Sequence, residues 1–154
     1  ALLLLPSLNP SIHPSIGFEK AAEQGSMSSY ACLGHLYEIG GPGLTKDESA
    51  AVGWYRRGAE AGNAASQNNL GLCYYNGWSV TKNLATARSW FKRAADQGTT
   101  SAMRRVGRMM VRGEGGDRKV DEGIALLEKA VAKGDTAARA ALDRLNGFLA
   151  AFKA

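Results

Sequence analysis

Arg104, Arg108 and Arg112 stand four residues apart. On a helix that spacing puts three guanidinium groups on one face, where like charges repel mildly. Such a stripe calls for acidic neighbours or an anionic ligand, because a guanidinium grips carboxylate or phosphate through paired N–H donors. The competing reading is a solvated basic face with flexible side chains. His35 has Glu38 three residues on, the spacing of a weak helical ion pair, but no second partner that catalysis would need. Cys32 and Cys73 are the two cysteines, they form no Cys-x-x-Cys pair, and there are two histidines, so no zinc site is expected. The cysteines read as two independent small core residues, or else as one disulfide between neighbouring elements. The chain has no Gly-x-Ser-x-Gly, His-Glu-x-x-His or phosphate-loop motif. No catalytic, cofactor-binding or metal residues are therefore expected.

The elements that position these residues must be helical. Of the four prolines, three precede residue 15, leaving the rest of the chain almost uninterrupted. Apolar residues make up 45 %, which suits a folded chain and argues against disorder. The net charge of +5 fits an acidic partner without requiring one. The opening Ala1-Leu2-Leu3-Leu4-Leu5-Pro6 is far shorter than the ~20 apolar residues of a membrane span, so a soluble chain is expected. The leucine run reads either as the tail of a cleaved targeting segment, from an exported or organellar precursor, or as an apolar strap. The missing initial methionine points to processing or to a fragment.

One pattern recurs. Phe18-Glu-Lys-Ala-Ala-Glu-Gln-Gly25, Tyr55-Arg-Arg-Gly-Ala-Glu-Ala-Gly62, Phe91-Lys-Arg-Ala-Ala-Asp-Gln-Gly98 and Leu127-Glu-Lys-Ala-Val-Ala-Lys-Gly134 align, with closing glycines 37, 36 and 36 residues apart. Leu33-Gly34, Leu70-Gly71 and Val106-Gly107 keep the same period, each followed three residues later by Tyr37, Tyr74 and Met110. Three markers in register define a repeat. Each unit reads as two helices. Asn63 and Asn83 are expected N-caps, and Gly25, Gly62, Gly98 and Gly134 suit the left-handed residue after a helix. A mid-helix glycine costs ~1 kcal/mol relative to alanine. Its recurrence at Gly34, Gly71 and Gly107 implies close helix approach, with Tyr55 and Phe91 filling the space beside it. Trp54 and Trp90 share a repeat position and are expected in the core. Trp78 sits in a turn, as an exposed contact or a lid.

The run Ala64-Ala-Ser-Gln-Asn-Asn-Leu-Gly-Leu-Cys-Tyr-Tyr-Asn-Gly77, followed by Ala87-x-x-Trp90-Phe91-x-x-Ala94-Ala95-x-x-Gly98, resembles the Sel-one-like repeat family, a longer-turned relative of the tetratricopeptide repeat. The resemblance covers roughly residues 14 to 146. It implies an all-α fold, an α/α superhelical solenoid of antiparallel helix pairs. The expected organisation is an irregular leader (1–13), then one array over 14–150. That array comprises a half repeat (14–25), repeats 26–62, 63–98 and 99–134, and a capping helix (135–150). Departures are Ser79 where the turn usually has a second glycine, an extra residue in Gly40-Gly-Pro-Gly43, and an atypical Gly113-Glu-Gly-Gly-Asp117.

The resemblance further implies a scaffold or adaptor that holds a protein partner on a concave face lined by the first helix of each pair, as a lone module or as a subunit of a larger complex. With Leu70, Gly71 and Tyr74 packed into the stack, Asn68, Leu72 and Asn76 face that groove. Their equivalents are His35 in the first repeat, Arg104, Arg108 and Arg112 in the third, and Arg144 in the last helix. An acidic partner segment is expected at the arginine end. Some cysteine-rich members of this family have been linked to β-lactam hydrolysis, and Ser79-x-x-Lys82 and Ser89-x-x-Lys92 have the Ser-x-x-Lys spelling. They lack the Ser-Asp-Asn and Lys-Thr-Gly companions. A hydrolase is thus the weaker alternative, as is a basic-surface nucleic-acid binder, whose aromatics are here assigned to packing.

Overall fold

The computed structural model describes residues 14–41 and 43–153, with side chains for 15–41 and 43–148. The leader, and the side chains of Leu149 and Phe152, lie outside the described residues. Eight helices follow one another: α1 (Pro14–Glu23), α2 (Met27–Ile39), α3 (Glu48–Glu60), α4 (Ala64–Asn76), α5 (Leu84–Asp96), α6 (Thr100–Arg112), α7 (Val120–Ala132) and α8 (Thr136–Lys153). No strand accompanies them among the described residues; a single bridge joins Gly41 and Leu44 in the first long turn. Each helix packs on its chain neighbours, and α2 also touches α4 as α6 touches α8. Even-numbered helices form one row and α3, α5 and α7 the other, giving the all-α solenoid expected.

Local chemistry starts and stops these helices. The side chains of Asn63 and Asn83 accept from the amides of Ser66 and Thr86 at 2.7 and 3.0 Å. Asp47 does the same for Ala50 at 2.9 Å. These bonds satisfy donors that the first helical turn leaves unpaired. Gly25, Gly62, Gly98 and Gly134 all take φ between +87° and +95°, the backbone that reverses the chain between α-helices. Ser79 also adopts positive φ, +49°, where the sequence pattern asks for a second glycine.

The mid-helix glycines meet the second row. A Cβ on Gly71 would lie 2.7 Å from the Phe91 ring, and one on Gly34 would overlap Tyr55. In the third repeat the neighbour is main chain: a Cβ on Gly107 would lie 2.8 Å from the carbonyl oxygen of Gly123. Backbone meets backbone there because Leu127 replaces the aromatic. Ala22, Ala59 and Ala95 are buried beside these contacts. Phe91, Met103, Val106, Met109 and Leu127 form the larger apolar core; Val52, Tyr55, Leu70 and Cys73 form the smaller one. Fully burying a side chain of this size contributes about 1.5–3 kcal/mol.

Two expectations fail. Trp54 and Trp90 are only half-buried. The guanidinium carbons of Arg57 and Arg93 lie 4.5 and 4.6 Å from their ring centroids, so each indole is partly covered by cation–π contact, and Trp90 packs on the edge of the smaller core rather than inside it. Cys32 is exposed, Cys73 is buried, and both are free thiols. Cys32 is thus neither a core residue nor bonded to Cys73.

Candidate functional site

The even-numbered row carries a chain of three cavities. The first, about 230 Å³, is lined by Glu38, Glu48, Tyr55, Asn69, Cys73 and Trp78 among others. The second, about 210 Å³, is lined by Leu72, Tyr75, Asn76, Phe91, Arg105 and Glu114, together with Arg104, Arg108 and Arg112. The third, about 590 Å³, is walled by Arg104, Arg108, Arg112, Arg118 and Arg144 around a floor that includes Val111, Leu127, Ala141 and Leu145. Leu72 borders the first and second. Arg104, Arg108 and Arg112 border the second and third. The cavities therefore form one continuous groove.

Six of the residues read from the sequence meet in that groove: Leu72, Asn76, Arg104, Arg108, Arg112 and Arg144. His35 and Asn68 line none of the three cavities. His35 is exposed, its Nδ1 3.6 Å from Glu38. Asn68 is half-buried and its Oδ1 accepts from Arg105 Nη1 at 3.1 Å. Arg105 and Arg118 border the groove without having been anticipated. Arg105 lies outside the four-residue spacing, and Arg118 belongs to a turn whose path the repeat pattern leaves open.

The arginines differ in how they are held. Arg104 Nε donates to Asp135 Oδ2 at 3.0 Å, and this pair is largely shielded, with side chains 20 and 12 % exposed. Burial pushes the Asp135 carboxyl up, but the Ala138 amide and then Arg104 outweigh it and hold the group below its ordinary value. Arg112 reaches Glu114 at 3.4 Å. Arg118 and Arg144 donate their Nε to the backbone carbonyls of Val111 and Ala140, which fixes the side chains without neutralising them. Arg108 has no hydrogen-bond or ion-pair partner among the described residues. Burial, then the charge of Arg104, lowers the Arg105 pKa. The acidic neighbours that the arginine stripe calls for thus exist for Arg104 and Arg112 only.

Carboxylates occupy the first two cavities. Tyr55 donates to Glu38 at 2.7 Å in the first, and Tyr75 donates to Glu114 at 3.2 Å in the second. Burial, then the charge of Glu38, pushes the Cys73 thiol up to about 11, so it stays protonated at neutral pH. Ser79 and Ser89 are exposed and line none of the cavities, and the Lys92 ammonium is bonded to Asp96 at 2.9 Å.

Comparison with known families matches the Sel1 repeat over residues 18–26, 29–63, 64–99 and 100–135. The chain belongs to the Sel1 repeat family. Among solved structures it is similar to a Sel1 repeat protein from Oxalobacter formigenes, with 35 % identity and a TM-score of 0.76 over 83 % of this chain and 37 % of that one. It is also similar to c5321, a protective antigen present in uropathogenic Escherichia coli strains. That match has 33 % identity and a TM-score of 0.73, covering 79 % of this chain and 26 % of the other. Helicobacter pylori cysteine rich protein B shares the fold at 18 % identity and a TM-score of 0.62, covering 84 % of this chain and 98 % of its own. The chain spans roughly a third or a quarter of the length of the first two. A search of the curated proteins gives no match.

Proposed function

We propose that this Sel1 repeat chain is a protein–protein interaction scaffold that holds an acidic segment of its partner along the even-numbered row, with no catalytic step of its own. Sel1 repeat proteins are generally such scaffolds. The observation that carries the finer reading is the third cavity, where five arginines meet without one carboxylate among the lining residues. Two of the five, Arg104 and Arg112, already hold Asp135 and Glu114. Arg108, Arg118 and Arg144 have no carboxylate partner among the described residues, and the backbone carbonyls that Arg118 and Arg144 donate to leave their charge open to an incoming carboxylate. The proposed contact residues are Arg104, Arg108, Arg112 and Arg144, flanked by Leu72 and Asn76, with Asn68 holding Arg105 from behind and His35 at the far end of the row. No helix among the described residues is long and apolar enough to cross a membrane.

Selection of a random peptide display library on the immobilised chain tests this reading. Segments rich in Asp and Glu are expected to enrich, and the selected peptides should lose at least about tenfold in affinity when Arg108, Arg112 and Arg144 are changed together to glutamate. Arg104 is left intact in that variant because it neutralises Asp135. Enrichment of neutral or basic sequences, or affinity unmoved by the charge reversal, would sink the acidic-segment reading. Capture of nucleic acid alone, with affinity falling steeply as salt rises, would replace it with a basic-surface binder.

A further inference from the structure

The three cavities are the same site at successive repeats. Tyr55, Phe91 and Leu127 occupy one repeat position on the odd-numbered row and line the first, second and third cavity in turn. Glu38, Tyr75 and Val111 occupy a second position, Asn69, Arg105 and Ala141 a third, and Cys73, Met109 and Leu145 a fourth. In the second cavity these positions are filled by large groups. Phe91 and Tyr75 have ring centroids 6.4 Å apart, and the Arg105 guanidinium lies 5.8 Å from the Phe91 centroid. In the third, Leu, Val and Ala stand in their place, and the volume rises from about 210 to about 590 Å³. With smaller side chains at these three positions, the third cavity has a space large enough for a bulky side chain, with Val111, Leu127, Ala141 and Leu145 among its lining.

The rim changed in the opposite sense. The first cavity contains Glu38 and Glu48, the second Glu114, and the third no carboxylate among its lining residues. The position held by Leu72 and Arg108 in the earlier repeats is Arg144 here, so arginines flank the opening from both α6 and α8. An apolar floor beneath a cationic rim fits a ligand that is apolar at its centre and anionic on either side. Neither a bare polyanion nor an uncharged helix matches both parts.

We infer that the third cavity is an anchor pocket that takes one bulky apolar side chain, phenylalanine or leucine, from a partner segment whose flanking residues are acidic. This rests on the acidic-segment reading above and adds the anchor to it. The arginines set the charge preference, and the cavity between Leu127, Ala141 and Leu145 decides which acidic segments bind tightly.

Fluorescein-labelled nonapeptides of Asp and Glu with a central Phe, Leu or Ala, titrated into the full chain by fluorescence polarisation, provide the test. The Phe or Leu peptide is expected to bind at least about tenfold tighter than the Ala peptide, since burying such a side chain is worth more than one decade of affinity. Ala141→Leu fills the floor and should abolish this advantage, the Phe and Leu peptides falling to the affinity of the Ala peptide measured on the same variant. Ala137→Leu, at an exposed position of the same wall, gives the same readout should Ala141→Leu disturb folding. Equal binding of the Phe, Leu and Ala peptides would overturn the anchor pocket and leave the acidic-segment reading standing. An advantage that survives both filled variants would place the anchor elsewhere. Failure of all three peptides to bind would remove the underlying reading as well. A dimer in light scattering that dissociates in Ala137→Leu would mean that a second copy fills the cavity, and would equally overturn the proposal.

Discussion

Ser66 shows what an unpaired polar group can cost at a position where the first repeat has Ser29, whose hydroxyl is bonded to Ser26 at 3.0 Å. The Ser66 hydroxyl is buried with no hydrogen-bond partner, whereas Ala102 and Ala138, at the equivalent positions, are simply apolar. Gly58 lies against it; a Cβ there would lie 2.6 Å from the Tyr30 Cβ and would overlap Ser66 itself. A buried unpaired hydroxyl destabilises by about 1 kcal/mol or more. Ser66→Ala should therefore raise the urea midpoint by the equivalent of about 1 kcal/mol, with the m-value unchanged. A lower midpoint would mean that the hydroxyl has a bound water as partner. At this scale the sequence is readable where the physics is local. Asn63 and Asn83 as caps, and the glycines after each second helix, follow from donors and dihedrals within a few residues. The stacking of Arg57 on Trp54 is not readable in the same way. An aromatic three residues before an arginine is equally compatible with a core indole until the neighbouring helices are placed.

Among the elements, α8 depends most visibly on one residue. Asp135 accepts from the Ala138 amide at 2.9 Å, capping the helix, and holds Arg104 of α6. Its folded pKa is depressed, so it contributes stability that is present above the ordinary carboxylate value of 3.8 and is lost as pH falls through the lower, folded value. Asp135→Ala should cost about 1–3 kcal/mol, from the lost cap and the stranded guanidinium. It should also flatten the acid limb of the stability profile below pH 4, measured by urea titration at each pH. An unchanged acid limb would mean the pair is too hydrated to matter. This bond joins residues 31 apart, and nothing in the spacing of Arg104, Arg108 and Arg112 signals it. The sequence marks the arginines as a set; in the structure all three line the groove, but Arg104 also braces α8 through Asp135, Arg112 reaches Glu114, and Arg108 has no such partner among the described residues.

For the whole molecule, stability flows between neighbours only. Each helix packs chiefly on the one before and the one after, so among the described residues α1 and α8 have fewer helical contacts than the middle helices. Amide hydrogen exchange should be slowest in α4, α5 and α6 and fastest in α1 and α8, a gradient that a two-layer globule would not produce. Uniform protection across the chain would contradict a nearest-neighbour array. The solenoid was legible because a period near 36 residues survives in glycines, alanines and aromatics that packing cannot do without. The third cavity was not, because it is written in what has been removed. Lining up Phe91 with Leu127, Tyr75 with Val111 and Arg105 with Ala141 would have exposed the lost volume, but only once the fold showed that these columns share one wall.

The resident carboxylates carry a consequence for stoichiometry. Glu38 on Tyr55 and Glu114 on Tyr75 already sit where an incoming acid would bind in the first two cavities. On the acidic-segment reading proposed above, those two cavities already contain a carboxylate, and only the third has none among its lining residues. If the proposed reading holds, valency follows the number of repeats that lack this internal carboxylate and not the number of repeats. A longer array of the same architecture would gain length and rigidity with each added unit, yet still hold one segment per chain unless the trio of Val111, Leu127 and Ala141 were copied with it.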